Sequence, residues 1–228
     1  MDIKEAMDFW SEWYSRNAEA WEERFARRRQ PLYRELIRRA HIPSGSQVLD
    51  IGTGTGGAAF EVLEAVGASG RVVGIDNSEG MLRVARERAA QIATGNIEFF
   101  LMGMSSLQFS GDSFDHVISS FAIYSSFPQG VGLREAYRVL RKGGKLTFSM
   151  FGKHLPGSSL LNQIFGIVFE KYQPRQPSEL LRRAREASEL TYLGIMRYGP
   201  LSEPSDPSAV LGFMRGVGFH SLEAGHTH

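Results

Sequence analysis

The stretch Gln47 to Glu61, QVLDIGTGTGGAAFE, constrains the chain more than any other. Val48, Leu49 and Ile51 form a short apolar run of the kind that becomes a parallel strand buried on both faces. Glycines at 52, 54, 56 and 57 follow at once, and Ala58 to Val66 reads as a helix. A strand, a glycine turn and a helix bring backbone close to a ligand where a Cβ would clash. They also aim the free N–H groups of the helix start at that ligand.

The spacing Gly52-x-Gly54-x-x-Gly57 fits a dinucleotide fingerprint, with Asp76 as the acid downstream. Asp50 argues against a dinucleotide. It closes the strand just before the first glycine, where a pyrophosphate would lie, and like charges about 4 Å apart cost on the order of 4 kcal/mol at an effective dielectric of about 20. S-adenosylmethionine (SAM) has no phosphate and presents an ammonium and a sulfonium, which suit a carboxylate. The order Asp-x-Gly-x-Gly-x-Gly therefore favours SAM. A turn without a ligand is disfavoured, because its glycines would weaken it for no return.

At 228 residues, 42% apolar, the chain reads as a single domain over 1–228 with one main core. A formal net charge of +1 exerts no global pull toward nucleic acid or an anionic membrane. Without cysteine there is no disulfide framework, thiolate nucleophile or cysteine metal site. The charged, aromatic start MDIKEAMDFW is no secretory signal, and no run is long enough to span a bilayer, so a cytoplasmic protein is expected.

Residues 1–44 read as a helical cap, one long helix or two shorter ones, carrying Phe9, Trp10, Trp13, Tyr14, Trp21 and Phe25. These rings staple the cap to the sheet, and Tyr14 and Trp21 are the first candidates to roof a cleft. Arg27, Arg28, Arg29, Arg34, Arg38 and Arg39, with Glu19, Glu22, Glu23 and Glu35 interspersed at helical spacing, read as a solvated face laced with ion pairs.

Residues 45–152 read as a cofactor-binding core. Arg71 to Asp76 is its second strand, Ser78 caps a helix to about Ala93, Asn96 to Leu101 is the third strand and Asp115 to Phe121 the fourth. A helix from about Gly132 to Arg141 stops at Gly143-Gly144, and Lys145 to Phe151 is the fifth strand. This alternation predicts an α/β fold, a doubly wound, Rossmann-like, mostly parallel sheet with helices on both faces. Residues 153–205 read as a helical insertion after the fifth strand, a substrate lid, with a packing element or homodimer contact as its alternative role. Residues 206–228 read as a last helix, Pro207 to Gly218, and a strand, His220 to His228.

VLDIGTGTG, GIDNSEGML, SFDHVISSFAIY and LREAYRVLRKGGKLTFSMFG follow one another in an order that resembles class I SAM-dependent methyltransferases, closest to the small-molecule and quinone methyltransferases. By that resemblance Asp50, Gly52, Gly54 and Gly56 line the methionine and ribose part of SAM. Asp76 holds the ribose hydroxyls, with Asn77 and Met81 beside the adenosine. Ser120 and Phe121 meet the methionine end, and Tyr14 lies over the cofactor. Where the family often has an acid for the adenine amino group, this chain has Met104 and Ser105 after Gly103, leaving the Met104 backbone or the Ser105 hydroxyl for that contact. The family's seventh strand has no residues left to form it.

The resemblance implies methyl transfer from SAM, leaving S-adenosylhomocysteine, to an oxygen, nitrogen or carbon of a small acceptor. The aromatic cap and the apolar face over 160–169 favour a hydrophobic or aromatic one. His154, just past the fifth strand, is the candidate general base, with Tyr124 in the same region. No metal site is expected, since His226 and His228 alone are a weak pair. The competing readings are a nucleic-acid methyltransferase using the arginines, an NAD-dependent oxidoreductase, and a non-catalytic SAM-binding module.

Overall fold

The computed structural model describes residues 2–92, 95–126, 130–150 and 207–220. Five strands form one sheet: β1 (Gln47–Ile51), β2 (Arg71–Asp76), β3 (Ile97–Leu101), β4 (Phe114–Ser120) and β5 (Leu140–Ser149). They are all parallel, in the order β3-β2-β1-β4-β5. Strand order reverses where β1 meets β4, so the C-terminal ends of these strands border the crevice in which doubly wound sheets bind ligands.

The period of two in each strand feeds two cores. Val48, Val72 and Ile118 pack with Ala58, Val62, Val66, Leu82 and Ala85, the inner faces of α4 (Gly57–Val66) and α5 (Glu79–Ile92). Their neighbours Leu49, Val73 and Val117 point the other way, onto Leu133, Ala136 and Val139 of α6 (Val131–Val139) and Met214 of α7 (Pro207–Val217). Helices therefore cover both faces, as the apolar runs of the central strands require.

The cap is more broken than one or two helices. A capping box of Asp2 and Glu5, with both bonds at 2.8 Å, starts α1 (Ile3–Arg16). Asn17 interrupts it, and α2 (Ala18–Trp21) runs through a π turn (Glu22–Ala26) and a 3₁₀ turn (Arg27–Arg29) into α3 (Gln30–Ala40). Ala18 packs on Met81 and Val84 of α5, with Tyr14 and Trp21 against them.

The turn after α6 corrects the expectation. The helix ends at Val139 rather than Arg141, because Leu140 already pairs with Phe114. Gly143-Gly144 is an irregularity inside β5, where Gly143 takes φ +81°. That bulge lets Arg141 Nη1 reach Asp115 Oδ1 at 2.7 Å. The lid over 153–205 and His154 lie outside the described residues. So does all of the expected last strand except His220, which is irregular and exposed.

Candidate functional site

The glycine turn is built by the ends of β1 and β2. The N–H groups of Gly52 and Thr53 both donate to the Ile75 carbonyl at 2.9 Å, and the Gly54 N–H donates to Asp76 Oδ2 at 2.9 Å. Gly52, Gly54 and Gly56 all take positive φ, at +71°, +56° and +84°. What a side chain would meet separates them. A Cβ on Gly52 would overlap that of Ala122, one on Gly56 would come within 2.7 Å of the Phe60 ring, and one on Gly57 would overlap the Tyr33 ring. At Gly54 it would meet nothing within 4 Å. Three of the four glycines thus answer to the protein's own packing, and Gly54 faces open space beside Asp76.

Asp50 is 1% exposed, and its Oδ2 accepts from Thr53 Oγ1 at 2.7 Å. No described donor completes a hydrogen bond to its Oδ1. Burial pushes this carboxyl up to about 7; the charge of Asp76 adds to the rise, and the Thr53 hydroxyl and the nearby Ala59 N–H oppose it. A buried acceptor oxygen with nothing to accept is costly, and it marks where a donor or cation would be stabilised.

Asp76 is raised by burial too, but three backbone N–H groups, of Gly54, Ser78 and Asn77, hold it back. Oδ2 takes the Gly54 N–H and Oδ1 the Ser78 N–H, the latter at 3.0 Å. The carboxylate is therefore fixed in place with lone pairs to spare. Asn77 is exposed, and its carbonyl accepts from Ser11 Oγ at 2.7 Å, which ties α1 to this loop.

Aromatic rings of the cap and of the β4 end come together around Arg29. Tyr14 packs edge-on to Trp21 with centroids 5.2 Å apart. Burial raises its phenol to about 12 against the lowering field of Arg29, and burial raises Tyr124, in the 3₁₀ turn Ile123–Ser125, as well. Phe121 leaves β4 at φ +56°, a conformation that costs a non-glycine residue about 1–2 kcal/mol and is found at functional sites.

Arg29 lies between the two groups, its guanidinium carbon 5.2 Å from the Trp21 centroid and 5.4 Å from that of Phe121. Among the described residues no carboxylate pairs with it. The solvated-face expectation holds for Arg38 and Arg39 with Glu35, whereas Arg34 pairs with Glu61 of α4. It fails for Arg29 and for Glu22, which is buried. A signal was present: the residues three and four away from Arg29 are Phe25, Ala26, Leu32 and Tyr33, with no acid among them.

The other expected residues are distributed as follows. Ser120 Oγ lies 3.4 Å from Ser149 Oγ. Its neighbour Ser119, which sequence reasoning passed over, donates to the Ile51 carbonyl at 2.8 Å and accepts the Ile123 N–H at 3.0 Å, locking the ends of β1 and β4 together. Met81 is buried under Tyr14 and Trp21. Met104 and Ser105 are half-buried in the turn after β3, Met104 against the second core. Asp50, Gly54 and Asp76 thus meet at the end of β1, and Arg29 sits near the rings of Trp21, which packs on Tyr14, and of Phe121.

Residues 28–194 match the model of the ubiE/COQ5 methyltransferase family. The ubiquinone/menaquinone biosynthesis C-methyltransferase of a Marinomonas species is 31% identical over 188 residues, covering 82% of this chain and 71% of that one. The demethylmenaquinone methyltransferase of Lactococcus lactis is 34% identical over 131 residues, 58% of this chain and 51% of that one. The chain thus spans about half the length of that second relative. A SAM-dependent methyltransferase from Aquifex aeolicus shares the fold, with a TM-score of 0.50 at 21% identity over 62% of this chain and 78% of that one.

Proposed function

Because this chain belongs to the ubiE/COQ5 methyltransferase family, we propose that it moves the methyl group of SAM onto a ring carbon of a small, hydrophobic quinone-type acceptor in its reduced form. The observation that carries the cofactor assignment is the buried Asp50 Oδ1 without a donor, next to the open face of Gly54. An ammonium satisfies that oxygen; a phosphate would face it with like charge. The quinone-type acceptor rests on what the Marinomonas and Lactococcus relatives are named for.

The residues present fit SAM. Asp50 would hold its ammonium, Arg29 its carboxylate and Asp76 its ribose hydroxyls. Gly52, Gly54 and Gly56 would line the turn beside them, with Tyr14 and Met81 over the nucleoside. Asn77, Met104 and Ser105 would lie toward the adenine, and Ser120 and Phe121 toward the methionine end. Two carboxylates and one guanidinium complement a ligand that carries an ammonium, a sulfonium and a carboxylate.

When bound, SAM supplies a methyl already activated as a sulfonium. What remains for this chain is to align the acceptor carbon, exclude water and hold protons. Trp21 and Phe121 offer apolar surface to a planar ring. Tyr14, raised by burial, keeps its proton at neutral pH, so it can donate a hydrogen bond to an acceptor oxygen but cannot serve as its base. His154, the candidate base, is proposed from its sequence position alone.

The test is to incubate the full chain with SAM and a reduced naphthoquinone lacking its ring methyl, and to follow the product by mass spectrometry. The expected result is replacement of one ring hydrogen by methyl, with S-adenosylhomocysteine formed in equal amount. Binding of NAD with no affinity for SAM or S-adenosylhomocysteine would overturn the assignment. Gly54→Ala gives a second check: its methyl enters the ligand space, so SAM binding weakens at least about tenfold while the strained φ costs only about 1–2 kcal/mol of stability. Titration calorimetry and thermal unfolding separate the two effects.

A further inference from the structure

Glu22 opens the five-residue π turn of the cap with its carboxylate buried. Oε2 accepts from Thr55 Oγ1 at 2.6 Å and from Arg88 Nη1 at 3.1 Å, and the same Arg88 nitrogen donates to the Thr55 carbonyl at 2.7 Å. Thr55 sits between Gly54 and Gly56. Both of its polar ends are therefore clamped, the hydroxyl by the cap and the carbonyl by α5. Arg88 also lies 4.4 Å over the ring of Phe60, the ring that closes off Gly56. A π turn is an uncommon interruption of a helix and recurs at functional sites.

The cap grips the opposite loop as well. Ser11 Oγ donates to the Asn77 carbonyl, Ser15 Oγ lies 2.8 Å from Ser78 Oγ, and the Gly80 N–H donates to Ser15 Oγ at 3.3 Å. Gly80 has no room for a Cβ against the Ser15 backbone. The cap thus touches both loops, α1 at the loop with Asp76 and the π turn at the turn with Gly54, and those loops are themselves joined by the Gly54 N–H.

We propose that Glu22 is a positioning residue for the glycine turn, acting through Thr55 so that the cap and the turn engage the cofactor as one unit. The proposal rests on the SAM reading above. Glu22 need touch no ligand. Without its carboxylate, the Thr55 hydroxyl loses its acceptor and the Arg88 charge its partner. The turn can then shift, and Gly54, one peptide away, carries that shift to Asp76.

A double-mutant cycle on S-adenosylhomocysteine affinity tests this. Glu22→Gln, which keeps an acceptor oxygen but removes the charge that strengthens the Thr55 bond and pairs Arg88, and Thr55→Val, which removes the hydroxyl, each weaken binding about tenfold. The double variant is expected to match either single one rather than their product, and Thr55→Ser, which keeps the hydroxyl, to bind like the wild type. Multiplying effects, or an unchanged affinity in Glu22→Gln, would overturn the proposal. Hydrogen exchange on the wild-type chain is independent of how the variants fold: added S-adenosylhomocysteine must protect residues 3–29 and 52–57 together. Protection of the turn without the cap would also overturn it. A wild-type chain that binds no S-adenosylhomocysteine would instead contradict the SAM reading, and the proposal would fall with it.

Discussion

Asp50→Asn makes the free protein more stable at pH 8 and a much weaker binder of SAM. The sign follows from burial. The folded chain keeps a proton on Asp50 up to about pH 7, whereas an unfolded aspartate loses it at about 3.9. The folded state therefore binds more protons between those values. This carboxyl's contribution to stability is full below about pH 4, declines as pH rises and is gone above about pH 7. At pH 8 the ionised, buried group costs up to about 4 kcal/mol. Asparagine removes the charge but leaves an amide with nothing for one of its ends, at about 1–3 kcal/mol. The net gain at pH 8 is about 2 kcal/mol, or about 6 °C in the unfolding midpoint for a chain of this size, and near pH 4, where the aspartate is already neutral, it turns into a loss of about the same size. SAM affinity falls at least about a hundredfold, as expected when one partner of a buried charge pair is removed. Unfolding scans at both pH values and a SAM titration check the three parts.

Asp76→Ala has the opposite effect on stability. Two N–H groups of the crevice loops, Gly54 and Ser78, lose the carboxylate they share, and each unpaired donor costs about 1–3 kcal/mol. The midpoint falls by about 10 °C, and SAM affinity by about a hundredfold if both ribose hydroxyls lose their acceptor. Removing the Asp76 charge also lets Asp50 ionise at lower pH, because that charge is one of the causes of its rise. Asp76→Asn, which keeps one acceptor oxygen, falls between the alanine variant and the wild type. Calorimetry paired with thermal unfolding distinguishes them.

The sheet was legible because local pattern and tertiary role agree. Buried parallel strands are apolar runs; the one read over 71–76 stands with those bounds, and the run Val48 to Ile51 lies inside β1. Gly143-Gly144 misled because a glycine pair stops a helix and bulges a strand equally well, and only the pairing of Leu140 with Phe114 decides between them. Asp50 was marked by its place before the glycines, but its burial and its unused oxygen exist only once β1 lies between β2 and β4. Glu22 and Arg29 were hidden for the same reason. In a run of arginines and glutamates every charge looks solvated until the cap folds back on the glycine turn, burying one carboxylate against Thr55 and setting one guanidinium between Trp21 and Phe121.

The central claim is that the buried carboxyl before the glycine turn exists to meet a cation. Titration calorimetry with SAM at pH 6.5, run in buffers of different ionisation heat, counts the protons exchanged on binding. Asp50 is mostly protonated in the free protein at that pH and must ionise to meet the ammonium. Binding to the wild type is therefore expected to release more than about half a proton, and any weak binding left in Asp50→Asn to release none. SAM binding with no proton released, or with the same release from the asparagine variant, would contradict the account.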